Sequence, residues 1–159
     1  RGVLNVGEPM AGPLIRRLKT WAFPRQVVAG PVAGLVEILD APPGTSCPVV
    51  ETLRGGDFAL LVSEPTPFGL HDLRLVIEVV RELALPAGVI INRDMPNNGD
   101  LERFCRELEM PVLMRVPLDR EIGSALASGQ SLVAARPEYG EALRGVFAHI
   151  QQTVCGGVP

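Results

Sequence analysis

The feature that most constrains this chain is a series of short runs that are apolar almost throughout, separated by stretches with helical spacing. Residues 58–63 (FALLVS), 88–92 (GVIIN) and the weaker 112–116 (VLMRV) are such runs, and 35–40 (LVEILD) is another that ends in an acid. A strand solvated on one face alternates polar and apolar residues, whereas a run without alternation suits a strand covered on both faces. Between the runs, Leu70, Leu73, Ile77, Val80 and Leu83 share one helical face, and Leu101, Phe104, Cys105 and Leu108 share another. Leu143, Val146, Phe147, Ile150 and Val154 form the inner face of a last helix. Strand and helix in alternation imply right-handed βαβ units. The expected fold is therefore α/β, a mainly parallel sheet with helices on both faces.

Local signals refine this order. Residues 46–53 read as a short helix that Thr45 or Ser46 can cap, with Pro48 in the first turn, where a missing N–H costs nothing. Asp100 is placed to cap the next-to-last long helix, and a short helix from Asp119 should stop near Gly129. Leu14, Ile15, Leu18, Trp21 and Ala22 mark an amphipathic helix; 3–6 is compatible with a strand, and 30–34 reads as a linker.

At 159 residues the chain suits one domain, with 1–30 as a leading segment and 31–155 as the βα core. A net charge of -3 gives no reason to expect nucleic acid, since Arg16, Arg17 and Lys19 form only a small basic cluster. No apolar run is long enough to cross a bilayer and the start shows no secretory signal, so the expected compartment is the cytoplasm. The first residue is Arg1, which suggests a piece of a longer protein. Three cysteines without C-x-x-C spacing make neither a disulfide framework nor a four-thiolate cluster site. Cys105 lies in an apolar stripe and should be buried; Cys47 is expected to pack as a small residue under the Pro42-Pro43 bend, the competing reading being a reactive thiol at a helix start.

In open parallel sheets ligands bind beyond the carboxyl ends of the strands. Those ends carry the unusual residues here: 40–46 (DAPPGTS), 63–69 (SEPTPFG), 92–94 (NRD) and 117–119 (PLD). The opposite loops, 54–57, 84–86 and 109–111, look like simple turns. An acid directly after an apolar run, as at Asp40, is the arrangement of a Walker B aspartate. Mg²⁺ keeps most of its waters, so one held carboxylate suffices. The alternative is that Asp40 merely caps the following turn. Gly44 lets the backbone approach a phosphate closely. His71 and Asp72 are adjacent on a helix and point apart, so His71 is read as surface or loop rather than general base.

Four segments, 40–47 (DAPPGTSC), 64–72 (EPTPFGLHD), 89–93 (VIINR) and 116–119 (VPLD), resemble in order and spacing the MinD-superfamily P-loop ATPases that carry an inserted ferredoxin domain. The likeness covers roughly 33–150, and 6–8 (VGE) is similar to the segment after the insert. The resemblance implies a deviant Walker A ATPase, related to MinD, ParA and the nitrogenase iron protein. It implies MgATP or MgADP held at a homodimer interface, and iron–sulfur clusters in the insert. It also assigns roles. Asp40 would hold Mg²⁺ through water, and Pro42, Pro43 and Gly44 would sense the terminal phosphate. Asn92, in its motif with Arg93, would hydrogen-bond the adenine edge. Pro117 and Asp119 would lie against the base, and Glu64, Thr66 and Asp72 would belong to a second switch-like loop near the partner subunit.

One departure bears on activity. The family's lysine-bearing glycine loop has no counterpart among these residues, whose single lysine, Lys19, has no glycine-rich loop directly before it. With the first strand, phosphate loop and first helix lacking, the sheet is expected to expose an edge open to self-association or to pairing with that N-terminal part. The expectation is a truncated ATP-binding domain of a redox-linked ATPase that, as this chain, neither hydrolyses ATP nor carries a cluster. The alternative is a non-enzymatic flavodoxin- or receiver-like interaction module. A receiver needs a late-strand lysine and a flavodoxin a Ser/Thr/Gly-rich phosphate loop, and neither is found. A dinucleotide enzyme fails for want of a G-x-G-x-x-G motif.

Overall fold

The computed structural model describes residues 11–21, 36–96 and 99–156. The readings of 3–6, 6–8 and 30–34 lie outside them. The chain divides into two compact units after Gly56.

Among its described residues the first unit has helices α1 (Gly12–Trp21) and α2 (Cys47–Leu53). Ser46 occupies the N-cap of α2 in extended conformation, without a side-chain cap bond, and Pro48 sits in the first turn as expected. Lys19 joins the helices. Its ammonium donates to the carbonyls of Glu51 (3.2 Å), Thr52 (3.0 Å) and Arg54 (2.5 Å), where the last turn of α2 leaves acceptors unpaired. Arg16 pairs with Glu51 beside it.

One sequence expectation fails here. Residues 36–40 form no strand, and Val36 (51%), Ile38 (89%) and Leu39 (39%) are exposed. An apolar run becomes a buried strand only when a neighbouring strand takes up its N–H and C=O groups. Among the described residues, 36–40 have no such partner. Cys47 is also exposed rather than packed under the bend.

The second unit is the βα core. Its order is β1 (Ala59–Ser63), α3 (Pro67–Glu82), β2 (Ala87–Asp94), α4 (Asp100–Glu107), β3 (Val112–Pro117), α5 (Arg120–Ala127), α6 (Leu132–Ala135) and α7 (Glu138–Cys155). The strands are parallel in the order β1-β2-β3. Ile90, Met114 and Val116 face one side and pack with Ile122 of α5 and Val146 of α7. Val89, Ile91, Leu101, Phe104, Cys105, Leu73, Ile77 and Val80 are likewise buried. Phe147, expected on the inner face of α7, is 40% exposed, because the covering stripe of that helix runs through Val146 instead. Asp100 is the first residue of α4 and not its cap, a place taken by Gly99; its carboxylate pairs with Arg103 at 2.8 Å.

Two irregularities shape the sheet. Val89 pairs with Val112 but Ile90 with Met114, so Leu113 is an extra residue in β3. Gly88 makes room for it: a Cβ there would lie 2.6 Å from Leu113 Cδ1. Further on, Ile91 pairs with Arg115 and Asp94 with Pro117, so β2 carries an extra residue before its end. Arg93 lies in that bulge with φ +52°.

Candidate functional site

At the carboxyl edge of the core three strand ends come together. After β1, the Thr66 hydroxyl accepts from Gly69 N (3.0 Å) as the N-cap of α3, and Ser63 Oγ donates to Gly69 O (3.0 Å). A Cβ on Gly69 would fall 2.2 Å from the Glu64 carbonyl oxygen, so only glycine permits this corner. The segment read as a loop over 64–72 is therefore half helix: α3 begins at Pro67, and His71 and Asp72 are exposed on its first turns.

After β2, Asn92 is half-buried, and among the described residues its side-chain amide has no hydrogen-bond partner. Arg93 reaches Glu64, Nε to Oε1 3.5 Å, and thereby links the first two strand ends. After β3, Leu118 N donates to Asp94 O at 2.8 Å, linking the second and third.

Arg115 anchors the edge from one face. Its guanidinium donates to Asp94 Oδ2 at 2.9 Å and to Glu102 Oε2 of α4 at 2.6 Å. The hydrogen bond it donates to Asp94 raises its pKa, burial opposes this, and the bond to Glu102 with the two carboxylate charges adds to the rise. Asp94, Met95, Glu102, Arg115 and Pro117 line a cleft of about 440 Å³ on this face. Cys105 lies fully buried nearby, and burial pushes its thiol pKa up more than the charge of Arg115 lowers it. It is an unreactive core residue, as expected from its stripe.

Asp119 is committed within the protein. Oδ1 accepts from Glu121 N (2.7 Å) and Ile122 N (3.3 Å) as the N-cap of α5, and Oδ2 accepts from Arg136 (3.2 Å). The Arg136 bond first, then the two backbone bonds, hold its pKa below the ordinary carboxylate value. Arg136 also pairs with Glu121 at 2.5 Å.

The remaining candidates belong to the first unit. Asp40, Pro42, Pro43 and Gly44 are exposed and outside regular structure. Gly44 has φ +85°, and a Cβ there would meet nothing within 4 Å, so its glycine serves the backbone conformation rather than space. The described residues contain no group of three or more His, Cys, Asp or Glu able to hold a metal.

Within the core, then, the structure gathers Glu64, Thr66, Asn92, Arg93, Pro117 and Asp119 at one sheet edge, with Asp72 a turn into α3. Sequence reasoning overlooked the Asp94–Arg115–Glu102 cluster, although an arginine inside the apolar run 112–116 was a visible signal. The Arg136–Asp119 pair, bridging 17 positions, had none.

A parallel sheet flanked by helices with a polar carboxyl edge defines an α/β protein of the P-loop NTPase-like class. Known proteins narrow this. The chain superposes on the cell division ATPase MinD of Pyrococcus furiosus with a TM-score of 0.53 and 25% identity, over 75% of this chain and 51% of that one. It is 27% identical to the uncharacterized protein MJ0579 of Methanocaldococcus jannaschii, over 83% of this chain and 43% of the other. It is 28% identical to the cytosolic Fe-S cluster assembly factor Nubp1 homolog of Drosophila willistoni, over 73% of this chain and 45% of the other. No family model matches. Together these likenesses support a MinD-like superfamily member, and the chain spans about half the length of these relatives.

Proposed function

We propose that the chain is part of an ATP-binding domain of a redox-linked MinD-like ATPase. The observation that carries this reading is Asn92: an amide with no internal partner among the described residues, half-buried at the carboxyl edge of a parallel sheet. An amide offers both a donor and an acceptor, which suits the adenine edge. Arg93, Pro117 and Asp119 flank it, with Asp119 acting through the loop it caps. Gly44, at φ +85° after Pro42 and Pro43, supplies a turn suited to a terminal phosphate.

Asp40 is exposed and has no ion pair among the described residues, which fits a water-mediated contact to Mg²⁺. The phosphates need more than this chain offers. Its only lysine is spent on the carbonyls of α2, and without a lysine loop charge stabilisation in phosphoryl transfer is lost, so the chain by itself does not hydrolyse ATP. Its three cysteines do not fit an iron–sulfur cluster.

Partners follow from the edges. Leu60 (40%) and Val62 (64%) leave β1 apolar and exposed on one face, which suits cover by an N-terminal part of a MinD-like protein. Glu64, Thr66 and Asp72 suit contact with a second copy in a nucleotide-bound dimer. The likeness to a cytosolic Fe-S cluster assembly factor homolog supports a cytoplasmic setting.

Calorimetric titration with MgATP and MgADP tests the reading. Binding in the micromolar to millimolar range, weakened about tenfold in Asn92→Ala, is the expected result. Binding indifferent to Asn92 would overturn the base assignment, and turnover would overturn the claim of inactivity.

A further inference from the structure

Side chains along a strand alternate faces, so an added residue exchanges the faces of everything after it. Arg115 shares a face with Ile91, its register partner, and with Pro117. In a regular β2 the next residue on that face would be Arg93, opposite Pro117, and two guanidinium groups would crowd the same face. The bulge at Arg93 delivers Asp94 to that face instead, and Asp94 meets Arg115 at 2.9 Å. Arg93, at φ +52°, is turned away to Glu64.

For stability alone an apolar residue at position 115 would serve as well, since a part-buried ion pair is commonly replaceable by hydrophobic side chains without loss. What the charge adds is register. Only the bulged pairing lets Arg115 bond both Asp94 and Glu102. The consequence passes through the backbone of Asp94, whose carbonyl accepts from Leu118 N at 2.8 Å. That bond sets where the chain leaves β3, between Pro117 and Asp119.

We propose that Arg115 is a positioning residue for this edge: by selecting the bulged register it sets the 117–119 loop relative to Asn92. The proposal rests on the nucleotide reading above for its functional meaning, but its structural content stands apart, and the two are tested separately.

Amide hydrogen exchange at Leu118 reads the positioning. In Arg115→Met this amide should exchange about tenfold faster while the amides of Val89 and Ile90 keep their protection; in Arg115→Lys, which retains one charged bond, most of the protection should return. Unchanged exchange at Leu118 in Arg115→Met overturns the proposal, as does equal loss across the whole core, which would mark a merely structural role. MgATP titration of the same variants reads the function. About tenfold weaker binding in Arg115→Met, recovered largely in Arg115→Lys, is expected. Binding at wild-type strength in Arg115→Met, beside accelerated Leu118 exchange, overturns the link from loop to nucleotide. A wild type silent to millimolar MgATP overturns the nucleotide reading itself and leaves the exchange result to decide the positioning claim.

Discussion

Asp94 and Arg115 form an ion pair at 2.9 Å across two parallel strands, and they meet only because β2 carries one residue more than the regular pattern allows. Asp94 is 18% exposed and Arg115 37%, so the pair is partly shielded from water and more than a surface contact. Glu102 closes the arrangement from α4 and ties a helix to the same register.

The two tightest glycines should respond differently to an added methyl. Gly69 faces the backbone of Glu64, which cannot yield without opening the corner between β1 and α3. Gly69→Ala should cost about 2–3 kcal/mol by urea unfolding. Gly88 faces the end of the Leu113 side chain, so Gly88→Ala should cost less and should be relieved by a second change, Leu113→Ala. A strictly additive double variant would contradict the contact.

Three helices end in the same way. Ala84, Glu109 and Gly129 each adopt positive φ directly after the C-cap. Leu85, Met110 and Gln130 then donate back to Val80, Cys105 and Ala125 at 3.0, 2.8 and 3.0 Å. Only Gly129 adopts this conformation without strain. Ala84→Gly and Glu109→Gly should each raise stability by about 0.5–1 kcal/mol, and Gly129→Ala should lower it by about 1 kcal/mol. Thermal unfolding midpoints distinguish the signs.

Lys19 satisfies three carbonyls at the end of α2. In Lys19→Met, amides of α2 should exchange several-fold faster, corresponding to about 1 kcal/mol locally, while those of β2 stay unchanged. Protection of α2 at the wild-type level would show that the lysine is not its cap.

Asp119 makes a pH-dependent contribution. Its folded pKa is depressed by Arg136 and by two backbone N–H groups, so the folded state favours the ionised form. The resulting stability is present above the ordinary carboxylate pKa and is lost as pH falls through the lowered value. Unfolding followed from neutral pH down to about pH 2 should show a slope that Asp119→Asn flattens. An unaltered slope in the variant would assign it to other carboxylates.

The sequence by itself determined the order of the core: where apolar runs lack alternation there are strands, and where Leu73, Ile77 and Val80 recur at helical spacing there is a helix, because both signals are local periodicities. It also placed Asp119 at a helix start and Gly129 at a helix end, since such signals depend on a few neighbouring residues; that Thr66 caps α3 was seen only in the structure. It marked Asn92, Arg93 and Pro117 as strand-end residues for the same reason. Tertiary structure alone decided the rest. Residues 36–40 carry a strand-like pattern yet form no strand, because pairing requires a partner edge that composition does not reveal. The two bulges, the place of Asp94 opposite Arg115 and the reach of Arg136 to Asp119 depend on register and on contacts distant in sequence. A shift of one residue reverses every face after it, so such contacts are settled only when the strands are laid side by side.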